Sequence, residues 1–498
     1  MRDTLRFWLG DEYIVLHDVP PTMTALDWLR EKGGRTGTKE GCNEGDCGAC
    51  TIIVVRRNTT ANDDEDLTWQ AVNACIQFLP MLDGAQVYTV EDLRDPSGAL
   101  HPVQTAMVEQ HGSQCGFCTP GFIMSMVVFR KRAETKNGPV TDTDIDDALA
   151  GNLCRCTGYA PIIRAMRHAL AAGPDRFDAE TAKISERLAT METGEGVVIA
   201  TDAGRLTIPA SADELAATMQ TDPAARIVAG ATDVGLWVTK FGRILPHVVF
   251  IGQIPELRRI EATAQGVTIG AAVTWSEAEA PLCAIQPEMR DTFRRVAARP
   301  VRNSATLCGN IANGSPIGDG PPLLIAAGAE LILRRGVQRR RIPLEAFFIN
   351  YGVQDRTPDE FVEAVFMPVP EEGVLFRGYK ISKRFDQDIS AVMAGFSLTL
   401  RDGHIHTACL AFGGMAAIPK RAATAEAALV GRPWNEAALA AARDAVSQDF
   451  TPLSDLRASS WYRQEVARNL LTRFYAETAG QTPVRVSVRT HRAETAHV

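Results

Sequence analysis

Eight of the eleven cysteines in this 498-residue chain lie within its first 156 residues, in two tight groups. That crowding constrains the fold more than any other feature. Clustered cysteines in a chain that shows no export signal read as metal ligands rather than disulfides, because a reducing compartment keeps thiols free. The N-terminal third must therefore bring four sulfurs together twice. The other three, Cys283, Cys308 and Cys409, stand apart and read as small core or loop residues.

Cys42, Cys47 and Cys50 form C-x4-C-x2-C, with Cys75 on the next segment, which is the plant-type ferredoxin spacing. Two irons bridged by two sulfides need four converging thiolates. Three come from one loop, and the fourth comes from a neighbouring element. Gly41, Gly45 and Gly48 let that loop curl and aim N–H groups at the sulfurs. Structural zinc more often uses two C-x2-C-like pairs, so a [2Fe-2S] cluster is expected here. The second group is Cys115 and Cys118 in QCGFCTPGF with Cys154 and Cys156 in NLCRCTGY. Alone it leaves zinc and iron–sulfur open. The tight C-x-C pair and the neighbouring ferredoxin loop make a second [2Fe-2S] cluster the economical reading.

Periodicity supplies the surroundings. Residues 4–17 alternate about Gly10-Asp11 and predict a hairpin. A short helix is expected at Ala25–Arg30, a strand at Thr51–Val55 and a polar acidic loop at Asn58–Asp66. From His101 to Ala171 the pattern is helical, with Phe122, Met126 and Phe129 on one face. Residues 172–193 are polar and poor in large apolar side chains, which predicts a linker. Strands and helices then alternate, including strands at Arg226–Ala229, Val248–Ile251 and Val267–Ile269. A β-rich block from about Phe376 includes strands Ile389–Leu400 and Ile405–Phe412.

Two segments of the second half suit a nucleotide. RIVAGATDVGL (Arg226–Leu236) runs from a strand into a helix start, where backbone N–H groups can bind a pyrophosphate. It is not G-x-G-x-x-G, so no Rossmann domain is indicated. In RNSATLCGNIANGSPIGDGPPLLIAAGAEL, the residues Gly309, Asn310, Asn313, Gly314, Gly318 and Asp319 crowd a loop before an apolar helix. On the residues alone, Asp319 could cap that helix and Lys380 could be a surface charge.

The segments GCNEGDCGAC, NACIQF, QCGFCTPGFIM and GNLCRCTGY occur in this order over residues 1–171. They resemble the iron–sulfur region of the molybdenum hydroxylases, the xanthine dehydrogenase and aldehyde oxidase family. The likeness continues through both nucleotide segments to about residue 475. It implies an α+β multidomain chain. A β-grasp ferredoxin-like [2Fe-2S] domain would span 1–83 and a four-helix [2Fe-2S] domain 84–171, with a linker at 172–195. An α+β FAD-binding domain of the vanillyl-alcohol-oxidase/PCMH type would span 196–372 and a C-terminal α+β flavoprotein domain 373–477. A tail at 478–498 would be disordered or partner-bound.

Carried over by position, the resemblance implies metal ligation by Cys42, Cys47, Cys50, Cys75, Cys115, Cys118, Cys154 and Cys156. It implies FAD contacts at Arg226, Ile227, Val228, Ala229, Gly230, Ala231, Thr232, Asp233, Thr306, Leu307, Cys308, Gly309, Asn310, Asp319 and Lys380. Asp319 would accept a hydroxyl's hydrogen bond, and Lys380 would lie near the isoalloxazine. Gln114 would point toward a molybdopterin held elsewhere, although a capping or core amide is the plainer alternative. Cys308 replaces a glycine of the family pattern, and Val296 stands where an aromatic residue is common, so packing near the flavin differs. No molybdenum-binding segment is recognisable, which implies a large molybdopterin-binding partner, assembled as a dimer of heterodimers. Electrons from purine oxidation (hypoxanthine and xanthine to urate) would pass through both clusters and FAD to NAD, docked near Lys383–Asp388. No acid–base residue for the purine is expected on this chain.

Composition narrows the alternatives. Hydrophobic residues make up 45% and charged residues 22%, and the net charge is -8, an ordinary globular balance without a nucleic-acid surface. The run Arg334, Arg335, Arg339, Arg340, Arg341 reads as a solvated edge strand. No apolar stretch approaches the ~20 residues of a spanning helix, and Met1 leads straight into a strand pattern, so a cytoplasmic protein is expected. Competing readings are the same part of an aldehyde-oxidase-type enzyme, a stand-alone flavoprotein oxidase, and a zinc-held interaction module.

Overall fold

Leu5, Phe7 and Leu9 point inward on the first strand, and Leu9 pairs with Glu12 across Gly10-Asp11, as the alternation requires. The computed structural model describes residues 1–58, 66–134 and 138–479. Most of the acidic loop expected at 58–66, and the tail from 480 onward, lie outside the described residues. Five strands make the first sheet, in the order Glu12–Leu16, Leu5–Leu9, Gln86–Tyr88, Thr51–Arg57, Leu67–Asn73. Leu5–Leu9 runs parallel to Gln86–Tyr88. Helix Ala25–Glu31 buries Leu26 and Leu29, and the Thr24 hydroxyl accepts from the N–H of Asp27 at its start. This is the β-grasp arrangement.

Helices Pro102–Glu109, Thr119–Glu134, Asp142–Leu149 and Ala160–Leu170 form the next unit. The expected linker needs correction. Arg176–Ala189 is a helix capped by Asp175, and it buries Phe177, Ile184 and Leu188. Three apolar residues at i, i+7 and i+11 suffice for one buried stripe on an otherwise polar helix. Phe177 packs on Tyr88 (4.9 Å between centroids) and Trp69 (5.2 Å).

The second half opens with a four-stranded sheet in the order Val197–Thr201, Gly204–Ile208, His247–Phe250, Arg226–Val228, the last three parallel. A five-stranded antiparallel sheet follows, and Gln338–Pro343 is one of its edges. Arg339, Arg340 and Arg341 on that edge meet Glu363, Glu360 and Glu330. Arg334 departs from the solvated reading: it is buried between Asp213 and Glu363. The last unit has strands Val374–Ile381, Val392–Arg401, His404–Gly413 and Lys420–Arg421 with helices Ala423–Leu429, Glu436–Asp449 and Ser460–Thr478. The strand expected from Ile389 begins at Val392, because the preceding residues turn Ser390 inward. The N–H of Arg2 donates to the carbonyl of Gly196 and that of Val198 to Arg2, stitching the two halves together. Among the described residues no helix is long and apolar enough to cross a membrane.

Candidate functional site

The first cysteine loop is curled by Asn43 (φ +54°), Gly45 (+81°) and Gly48 (+70°). The backbone N–H groups of Asp46 and Cys47 reach the Cys42 sulfur at 3.4 Å, and Asn73 Nδ2 donates to the Gly45 carbonyl at 2.7 Å. Cys50 and Cys75 are buried, while Cys42 and Cys47 are partly open. The sulfurs form a linked set: Cys42 meets Cys47 and Cys75, and Cys75 meets Cys50. Hydrogen bonds from Cys47 and Cys75 push the Cys42 thiol down, while the same contacts push Cys47 and Cys75 up. Without a cation the linked thiols cannot all ionise together. A metal centre that takes four thiolates fits them.

The second group converges in the same way. Cys115 and Cys118 precede helix Thr119–Glu134, and Cys154 and Cys156 precede helix Ala160–Leu170. Cys115 meets Cys156, and Cys118 meets Cys154. Burial, then Cys154, pushes the Cys118 thiol up to about 12. Burial opposes ionisation of Cys154, but the Thr157 hydroxyl at 3.2 Å and nearby backbone N–H groups bring its thiol down. A single zinc would hold its sulfurs about 3.8 Å apart, from a Zn–S bond of roughly 2.3 Å. Among the described residues, the ligand atoms that crowd within 4.8 Å three at a time belong to Glu134, Asp175 and Asp178, not to the cysteines. Each cysteine set is linked through pairwise contacts and gathers four sulfurs that suit a centre with two irons. Cys115, Cys156 and Gln114 are exposed, so Gln114 is not a core amide.

The two groups touch. The N–H of Leu153 donates to the Cys47 carbonyl at 3.0 Å. Asn152 Nδ2 donates to the Gly48 carbonyl (3.0 Å) and Thr51 Oγ1 (3.1 Å), while its Oδ1 accepts from Ser125 Oγ (2.6 Å). A Cβ on Gly121 would lie 2.1 Å from the Gly48 carbonyl oxygen, and one on Gly48 would lie 2.1 Å from that of Gly151. Only glycines allow this approach.

In the second half, the chain leaves strand Arg226–Val228, turns through Gly230 and Ala231 (φ +57°) and enters helix Val234–Thr239. A Cβ on Gly230 would lie 1.8 Å from the Ser304 carbonyl oxygen, so this turn presses on the second nucleotide segment. Ala229 and Thr306 line one cavity of about 80 Å³ behind it. The segment expected as one polar loop is two short helices, Leu307–Ala312 and Gly320–Ala326, joined by a turn. Thr306 Oγ1 accepts from the N–H of Gly309, and Asn310 Oδ1 from that of Gly320, both at 3.0 Å. The side chains of Val228, Leu307 and Cys308 face the core, which leaves them only backbone to offer a ligand. Burial raises the Cys308 thiol to about 12. Arg226, by contrast, is exposed, its guanidinium 5.0 Å from the Trp237 ring.

Asp319 precedes helix Gly320–Ala326 without capping it. Its carboxylate instead accepts from Lys380 Nζ at 2.6 Å and Ser390 Oγ at 2.5 Å, and Lys380 Nζ also donates to Ser390 Oγ at 2.9 Å. Lys380 is 3% exposed and Asp319 9%, so neither the capping nor the surface-charge alternative holds. Ser390 carries no pattern that would mark it in the sequence. A turn that only glycine permits, the polar turn between two short helices and the buried Lys380–Asp319 pair form a close-approach polar surface that fits a flavin nucleotide.

These are the parts of an iron–sulfur flavoprotein oxidoreductase. A 2Fe-2S iron-sulfur cluster binding domain matches residues 12–79 and a [2Fe-2S] binding domain residues 89–167. The FAD binding domain in molybdopterin dehydrogenase matches 201–370, and the CO dehydrogenase flavoprotein C-terminal domain 377–478. Xanthine dehydrogenase of Emericella nidulans is 30% identical over 97% of this chain and 39% of its own length. Xanthine dehydrogenase/oxidase of Gallus gallus is 31% identical over 87% of this chain and 37% of its own. The chain thus spans under two-fifths of the length of these relatives. The carbon monoxide dehydrogenase structure from Hydrogenophaga pseudoflava superposes with a TM-score of 0.51 at 26% identity, over 54% of this chain and 94% of that one. Quinoline 2-oxidoreductase from Pseudomonas putida 86 gives 0.50 at 25%, over 54% and 95%. The chain belongs to the molybdenum hydroxylase family, as its iron–sulfur and FAD electron-transfer part.

Proposed function

We propose that this chain takes electrons from a molybdopterin centre on a large partner subunit and delivers them, through two [2Fe-2S] clusters and FAD, to NAD during purine oxidation. The observation that carries this reading is the order of the two cysteine sets. The set of Cys115, Cys118, Cys154 and Cys156 lies at the surface, beside exposed Gln114, Phe117, Leu153 and Tyr159. That face suits a docked partner. The set of Cys42, Cys47, Cys50 and Cys75 lies deeper, against the flavin half. Leu153 and Asn152 hold the two sets in register.

The clusters supply single-electron steps, and the flavin joins these to the two-electron chemistry of a nicotinamide. The eight cysteines would ligate the irons. Gly230, Gly309 and Asn310 would shape the phosphate end of FAD, and Lys380 would place a cation by its ring. The segment Lys383–Asp388, on the surface beside these, would receive NAD. Similarity to xanthine dehydrogenases supports a purine substrate. The likeness to carbon monoxide and quinoline enzymes supports a second reading, in which the same electron path serves another molybdenum hydroxylase.

The test is an assay of the chain co-purified with its native partner. About four irons and one FAD per chain are expected, with NADH formed on addition of xanthine. Zinc in place of iron overturns the cofactor assignment. Iron and flavin without a response to xanthine move the substrate to the second reading.

A further inference from the structure

The first cysteine loop carries three acidic side chains, Glu40, Glu44 and Asp46. Its added cations come from the other half of the chain. Lys240, just past helix Val234–Thr239, donates to the carbonyl of Cys42 and lies 3.5 Å from Glu44. Thr239 Oγ1 donates to the Asn43 carbonyl at 2.9 Å. From the other side Gln387 Nε2 donates to the Asp46 carbonyl at 2.8 Å, and Arg384 lies 3.7 Å from the Asp46 carboxylate. The segment that makes these contacts is itself pinned. Asp388 accepts from the N–H groups of Lys383 and Arg384, and Arg295 donates to the Phe385 carbonyl. Two segments of the flavin half thus grip the carbonyls of residues 42, 43 and 46, while the N–H groups of 46 and 47 face the Cys42 sulfur.

We propose that Lys240 is a positioning residue that raises the reduction potential of the cluster held by Cys42, Cys47, Cys50 and Cys75, so that the flavin half sets how readily this cluster accepts an electron. The inference rests on the iron–sulfur reading of that cysteine set. Reduction adds one negative charge to the cluster. A lysine on the carbonyl of a ligating residue stabilises that charge, and it draws a carbonyl dipole away from the sulfurs. Glu44 opposes the effect from the same side. Lys240 is partly open to solvent, so screening keeps its influence moderate.

The experiment is a redox titration of the holoenzyme with its partner, following the electron paramagnetic resonance signals of the two clusters separately. Lys240→Met is expected to lower the reduced-to-oxidised ratio of the first cluster at a fixed potential by on the order of threefold or more. Lys240→Arg should restore the ratio, Glu44→Gln should raise it, and the second cluster should not move. An unchanged first-cluster potential in Lys240→Met at full iron content overturns the proposal while leaving the iron–sulfur reading intact. A shift that Lys240→Arg does not rescue overturns it too, since the effect would then be packing rather than charge. Absence of iron from the unmodified protein overturns the reading beneath it. Should Lys240→Met lose its cluster, Lys240→Gln decides: a lowered ratio supports the proposal and an unchanged one overturns it.

Discussion

Leu153 donates its N–H to the carbonyl of Cys47 at 3.0 Å, which joins the neighbour of Cys154 to a member of the other cysteine set. Asn152 guards this link with three hydrogen bonds. Asn152→Ala should destabilise the junction by about 1–3 kcal/mol. It should also slow electron passage from the second cluster to the first. Rapid-mixing reduction of a variant with full iron content checks this, and an unchanged rate removes the link from the path.

Single cysteine exchanges separate the two centres. Cys154→Ser should abolish the spectrum of the exposed cluster, lower the iron content by about half and leave the other signal in place. Cys50→Ser should do the reverse. Loss of both signals from either exchange would show that the two sets do not assemble independently.

Lys380→Met leaves the Asp319 carboxylate buried with only Ser390 as a partner. Breaking a buried pair in this way costs about 3–5 kcal/mol. The variant should release FAD at lower urea than the parent, read from flavin fluorescence. Ser390→Ala should show the same effect at about 1 kcal/mol. The pair Asp319→Asn with Lys380→Met should recover part of the loss, because no charge is then stranded.

Acid should loosen the helix Arg176–Ala189 first. Burial raises the Asp175 carboxyl, but hydrogen bonds from His101 and Lys131 outweigh it and hold the group well below the usual carboxylate range. A depressed carboxylate contributes stability that is present above its unfolded value, about 3.9, and lost as pH falls below it. Limited proteolysis of residues 172–195 should therefore accelerate below about pH 4. Asp175→Asn should be cleaved at neutral pH as the parent is in acid.

Both cysteine sets, the hairpin and most strands could be read from the chain, because short ligand spacing and strict alternation are local properties. The helix Arg176–Ala189 could not. Its three buried residues sit among eleven others that are mostly polar, and what makes them a stripe is Tyr88 and Trp69 waiting on a distant sheet. The burial of Arg334 is hidden from the sequence for the same reason: its ion-pair partners Asp213 and Glu363 are far away in the chain. At the proposed flavin site Asp319 and Lys380 can each be picked out from the sequence separately. Their direct contact, and the part of Ser390, depend on a fold that brings residues 319 and 380 together. Asn152 and Gln387 lie in segments that the sequence marks for other reasons, and Lys240 lies in none; the contact each makes with the backbone of another unit has no local signature.

Gly48 and Gly121 meet where any methyl group would collide. A free ferredoxin must find its redox partner anew at every turnover, so its throughput follows concentration, viscosity and salt. Here the search is finished once, when the chain folds. Throughput inside this chain should therefore be indifferent to dilution and to added glycerol, and such sensitivity should enter only where the chain meets another molecule.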